Sequence, residues 1–270
     1  MKNSFILICL FLFNTMLLAQ NNADVDGFMK LFEENEMLSK EDLLYDQIGL
    51  NFSELWLDAE NNRLGFKGNN FSRLSLKFLM VQKNYNKTNC YFVYGQMKMD
   101  TLKYRLLGEI EILKIRKELD KDLKVKLNEA KEDGDKELFE NLSCPAYQIL
   151  GRYYLCQDEK LMNSGEFKGV FVSKYFVKNG KVLYNDLNLE SDSYCNNQFV
   201  GTFREYKTPK EVVSNWGDYR IPYSGDLDIG SGEFSVNPIY LKNGWQNYMR
   251  AVFGNDINAK KEEEKKWWKN

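Results

Sequence analysis

Side chains alternate between apolar and polar at a period of two on both sides of one charged stretch, and few folds accommodate that pattern. Leu74, Leu76, Phe78 and Met80 alternate with Ser75 and Lys77. Tyr91 to Met99 follows the polar turn Asn84-Tyr85-Asn86-Lys87, and Leu106, Gly108, Ile110 and Ile112 alternate with Glu109 and Glu111. Such runs read as antiparallel strands with one wet face. Arg116 to Asn141 interrupts them with seven basic and nine acidic side chains, while Leu119, Leu123, Leu127 and Ala130 recur at helical spacing. A solvated amphipathic helix over the sheet is the simplest reading, with a break near Gly134. Alternation then resumes at Tyr147 to Cys156, Gly165 to Val177, Lys181 to Leu187 and Gln198 to Tyr206. Asn179-Gly180 is a two-residue hairpin turn, because both of its central positions need positive φ.

These periods predict a mainly β (α+β) protein. Its core is a curved antiparallel sheet, sandwich or open barrel of about eight strands, with flanking helices near residues 24–38, 117–133 and 239–253. Val25, Phe28, Met29 and Phe32 mark the first helix; Trp245, Tyr248, Met249, Val252 and Phe253 mark the last, with Gly254 as its C′ residue. Glycine precedes a hydrophobic residue at Gly108, Gly165, Gly201 and Gly232. Glycine relieves a strand where it bends, so this rhyme implies curvature. No Pro/Gly/Ser-rich linker divides the chain, which predicts one β-rich domain over 20–270 with a helical insert at 117–141. The tail from Lys260 to Asn270, ending in Trp267 and Trp268, reads as a frayed helix end.

Residues 1–19 read as a signal peptide. Lys2 supplies the positive end, Phe5 to Leu18 the apolar run and Ala19 the cleavage residue, and the ending Leu17-Leu18-Ala19-Gln20 resembles bacterial Sec signals. That run of 14 positions, broken only by Asn14 and Thr15, falls short of the roughly 20 needed to span a bilayer, and no second run of that length follows. The expected destination is periplasmic or secreted, with no transmembrane span. Four cysteines follow the signal: Cys90, Cys144, Cys156 and Cys195. An oxidising compartment permits disulfides, and free buried thiols fit equally well. Cys144 with Cys156 is disfavoured: a strand between them spans about 30 Å, whereas bonded Cα atoms lie within about 7 Å.

Lys and Arg total 37 against 39 Asp and Glu, which argues against a nucleic-acid partner. The chain contains no histidine. That removes the commonest general base and zinc ligand, and every His-dependent Ser or Cys triad.

Chemistry concentrates in Ser214 to Ser235, SNWGDYRIPYSGDLDIGSGEFS, through which no helix or strand period runs. Trp216, Asp218, Tyr219, Arg220 and Tyr223 are candidate ligand contacts, using aromatic stacking and a cationic fork on a small molecule, glycan or peptide. Structural roles compete for the same residues: Trp216 as a core plug, Arg220 as the partner of a local aspartate. Asp226, Asp228 and Glu233 could hold calcium loosely. An EF-hand is excluded, because counting from Asp226 its twelfth position is Asn237 and not Glu. Asp218, Asp226, Asp228 and Glu233 also supply the carboxylates that glycoside hydrolysis uses. The signal, the β-rich pattern and the missing histidine favour an exported binding or cell-envelope-associated protein without catalytic activity. A carboxylate-based glycan hydrolase is the alternative.

Overall fold

A computed structural model of the chain describes residues 23–57, 63–189, 191–208 and 211–269. The signal stretch lies outside them. Nine antiparallel strands occur among the described residues: β1 Arg63–Lys67, β2 Ser72–Lys83, β3 Cys90–Met99, β4 Leu102–Lys117, β5 Ala146–Cys156, β6 Gly165–Lys178, β7 Lys181–Tyr184, β8 Asn196–Glu205 and β9 Glu211–Asp218. Eight of them close into a ring, β1-β2-β3-β4-β5-β6-β8-β9, joined back through the β1–β9 ladder. β7 is an extra strand folded onto β6. The expected curved sheet is therefore a closed barrel, which leaves no sheet edge around the ring. Asn179 (φ 54°) and Gly180 (φ 73°) make the hairpin turn between β6 and β7.

Curvature comes from glycines at three of the four rhyming positions. A Cβ on Gly108 would stand 1.9 Å from the Tyr154 carbonyl oxygen, and one on Gly165 would stand 2.1 Å from that of Arg204. Gly169 and Gly201 face each other across β6 and β8. A Cβ on Gly201 would meet the Lys168 carbonyl oxygen at 2.1 Å and the Tyr153 hydroxyl at 2.4 Å. These walls approach too closely for any side chain, and the Tyr153 ring fills the interior beneath them. Gly232 belongs to a bend and not to a strand.

Rings fill the interior. Phe78, Tyr91, Tyr153, Phe167, Phe171, Tyr175, Phe199, Phe203 and Trp216 all lie in one buried cluster. One end is stoppered by α3 (Ser53–Leu57), which follows α1 (Ala23–Glu33) and α2 (Leu44–Gln47). Phe52, Leu55 and Trp56 enter the core from this stopper, and the Trp56 indole N–H donates to Ser173 Oγ at 3.1 Å. Two buried cations hold the connecting segment to the barrel. The Lys83 ammonium donates to the carbonyls of Ile48 and Leu50. The Arg116 guanidinium donates to those of Phe32, Asn35, Leu38 and Ser39.

The charged stretch forms two helices, α4 (Leu123–Glu132) and α5 (Lys136–Leu142), separated at Gly134 (φ 72°). The helix expected from 117 begins later, because β4 runs on to Lys117 opposite Tyr147. Pairing with β5 outweighs helical spacing there. The C-terminal helix expected over 239–253 is also divided. Pro238–Asn243 is a 3₁₀ turn that ends at Gly244 (φ 95°), followed by α6 (Gln246–Val252). Asn255 (φ 53°), and not Gly254, takes the left-handed position after it. Asp256 then caps α7 (Ile257–Glu263) by accepting from the Asn258 and Ala259 amides. Cys90, Cys144, Cys156 and Cys195 are all free thiols.

The tail is docked and not frayed. Lys103 Nζ donates to the Trp267 carbonyl at 2.7 Å, and Lys77 Nζ lies 5.3 Å from the Trp268 ring centroid. The Arg73 fork grips Glu263 at 2.9 and 2.6 Å, and Asn247 donates to the same carboxylate. Burial pulls the Glu263 pKa up, but Arg73 and Asn247 outweigh it, so this carboxyl titrates below the ordinary glutamate range. Its contribution to stability is therefore present at neutral pH and lost as pH falls through that lowered value. Protection factors of the α7 amides, which discount the intrinsic slowing of exchange at lower pH, should fall on acidification, and Glu263→Gln should show the lower protection already at neutral pH. Protection in α7 that is independent of both would rule the clamp out.

Candidate functional site

The 214–235 stretch divides at Asp218. Its first five residues are the end of β9, all buried. They show no alternation because the core covers one face and the C-terminal segment the other. Trp216 is fully buried inside the barrel, stacked on Phe199 at 5.2 Å and meeting the Tyr153 ring edge-on at 4.9 Å. It does not line the cavity beside the following loop and acts as a core plug.

Asp218 is likewise structural. It is 2% exposed and pairs across the β1–β9 ladder with Arg63, whose Nε donates to Oδ1 at 3.0 Å. Its Oδ2 accepts from Asn197 Nδ2 at 2.6 Å and from the Tyr184 hydroxyl at 3.2 Å. A bulge in β8 puts Asn197 in a left-handed conformation (φ 45°) and aims its amide at this seam. Asn197 also donates to the Leu55 carbonyl and accepts from Ser173. One polar chain thus runs from Arg63 through Asp218, Asn197 and Ser173 to the stopper residue Trp56. Among the described residues the terminal nitrogens of Arg63 are buried without hydrogen-bond partners, and Asp218 is the carboxylate that pairs with it.

Beyond Asp218 the chain turns sharply. Tyr219 (φ 68°) and Tyr223 (φ 49°) both take left-handed conformations, unusual for aromatic residues. Between them Ile221 is buried against Leu64, Phe66, Phe234 and Trp245. Arg220 organises the following loop. Its Nε donates to Asp228 at 2.9 Å, and its terminal nitrogens donate to Ser193 Oγ and the Gly230 carbonyl. Asp228 in turn accepts from the Gly230 and Ser235 amides. Asp226 accepts from the Tyr240 hydroxyl at 2.9 and 2.8 Å. Glu233 is exposed, with no hydrogen bond or ion pair among the described residues. Asp226 and Asp228 thus answer to separate partners and Glu233 to none, and among the described residues no group of three or more Asp, Glu or Cys is arranged to hold a metal ion.

A cavity of about 370 Å³ opens beside this loop. Tyr219 and Arg220 line it, together with Tyr194, Glu233, Phe234 and Tyr248. The Tyr194 and Tyr219 rings meet at 5.1 Å and 70°, forming an aromatic corner. The Tyr194 and Tyr248 hydroxyls donate to the carbonyls of Asn185 and Phe234. Burial pushes both phenols well above their ordinary range, so they stay neutral.

Two of the five expected ligand contacts, Tyr219 and Arg220, line this cavity; Trp216, Asp218 and Tyr223 do not. Tyr223 packs instead on Phe28 of α1, 6.0 Å between centroids. Tyr194 and Tyr248 carried no signal in the sequence, because a loop after β7 and a C-terminal helix bring them in from elsewhere in the chain. Of the carboxylates considered for hydrolysis, only Glu233 lines the cavity, whereas glycosidases need two about 5–9.5 Å apart flanking the substrate. No protein-family model matches the chain, and neither the curated proteins nor the solved structures include a significant match to it.

Proposed function

We propose that the chain is an exported, non-catalytic binding protein that seats a small ligand against Tyr194 and Tyr219. The observation that carries this reading is Tyr219 itself. Its backbone is held in a conformation that costs an L-residue about 1–2 kcal/mol, and its ring lines a cavity. Strain retained at a cavity wall is a recognised mark of a functional position. The cavity volume falls within the roughly 300–1,000 Å³ of small-ligand sites. The filled barrel supports the same reading, since its interior is packed with aromatic rings. A small molecule, a single sugar or one residue of a peptide matches the space.

A binding screen of small molecules, glycans and short peptides against the chain from residue 20 onward tests this. Tyr219→Gly is the diagnostic variant. Relief of the left-handed backbone returns about 1 kcal/mol, while loss of the Tyr194 ring contact costs about 0.5–1.5 kcal/mol. Stability should therefore stay within about 1 kcal/mol of the parent, while affinity for every genuine hit falls at least about tenfold. Hits that bind Tyr219→Gly as tightly as the parent would place the seat elsewhere.

A further inference from the structure

We infer that the ligand taken by this cavity carries an organic ammonium group; the inference rests on the seat proposed above. Arg220, the cation of the lining, is already matched. Its Nη2 lies 2.8 Å from Asp228 Oδ2, and its remaining nitrogens face Ser193 and loop carbonyls. Glu233 lines the cavity with no hydrogen bond or ion pair among the described residues. Asp192, which has neither among the described residues, is not itself part of the lining; its Oδ1 is 2.9 Å from the point where a Cβ on Gly232 would be. Gly232, a lining residue, thus leaves room for that carboxylate next to the cavity wall. Once the arginine pair is set aside, Glu233 is the charge the lining presents.

The rings favour the same class of ligand. Tyr194 and Tyr219, nearly perpendicular, present two walls of an aromatic corner. Tyr248 already accepts a cation, with the Arg73 guanidinium 5.4 Å from its ring centroid. Its hydroxyl, like that of Tyr194, is committed to a backbone carbonyl. What the Tyr194–Tyr219 corner offers a ligand is π-surface, which attracts cations most strongly when partly shielded from water. A carboxylate beside an aromatic corner is the combination that recognises an alkylammonium head.

Calorimetric titration at low salt with choline and with 3,3-dimethyl-1-butanol, its uncharged counterpart of the same shape, tests the inference. Choline should bind roughly fivefold or more tightly than the alcohol. Glu233→Gln should remove most of that preference and leave the melting temperature unchanged, because Glu233 is exposed and unpaired. Equal or tighter binding of the alcohol overturns the ammonium inference. If that binding is still lost in Tyr219→Gly, the cavity remains the seat of a neutral ligand. If neither probe binds while screen hits depend on Tyr219, the ammonium inference alone falls. If neither binds and no hit depends on Tyr219, both readings fall together.

Discussion

Replacing Asp218 with alanine should destabilise the barrel by about 3–5 kcal/mol, the range seen when one partner of a buried ion pair is removed. Arg63 is 6% exposed, its Nε has Asp218 as partner, and its terminal nitrogens have none among the described residues. Removing the carboxylate strands a buried cation, costs Asn197 Nδ2 one of its two acceptors and takes away the Tyr184 hydroxyl's acceptor. The damage should spread along the polar seam through Ser173 to Trp56, loosening the stopper. Equilibrium denaturation measures the loss. The double variant Arg63→Met/Asp218→Leu supplies the contrast: with no unpaired charge left, it should recover a large part of it. A cost under about 1 kcal/mol for Asp218→Ala would mean that Arg63 has other means of neutralisation.

Trp216→Ala should cost about 3–5 kcal/mol, as for other fully buried large aromatics. The indole is fully buried, is stacked on Phe199 and meets the edges of Tyr153 and Phe167. Ligand affinity of the fraction that stays folded should not change, because Trp216 does not line the cavity. Trp216→Phe should retain more than half of the lost stability. An affinity loss without a stability loss would return Trp216 to the binding site. The two variants separate roles that sequence alone leaves merged, since Trp216, Asp218, Tyr219 and Arg220 stand within five positions of one another.

Much of the sheet was legible because its wet-faced strands advertise themselves. The runs at 74–80, 91–99 and 106–112 alternate, and Asn179-Gly180 marks its hairpin. Closure was not legible. It depends on β1, which has five residues, and on the last residues of β9, covered on both faces and without alternation. The partners that seal the ring, Arg63 and Asp218, are 155 positions apart, and no local pattern reports such a pairing. The site was half legible for the same reason. Tyr219 and Arg220 stood out in a glycine-rich aromatic loop, whereas Tyr194 and Tyr248 join them only through folding. Asp218 looked like a ligand contact because a charged side chain in a loop-like stretch is normally wet, and only the arginine opposite reveals that it is dry.

The central claim is that ligands are met outside the barrel, at the Tyr194–Tyr219 corner, and not within its aromatic interior. Backbone amide NMR during titration with choline, or with the tightest hit of the screen, tests it most directly. Shifts should concentrate at Tyr194, Tyr219, Gly232 and Glu233, with Phe171, Phe199 and Trp216 unmoved. Shifts centred on the interior residues, with the corner silent, would contradict it.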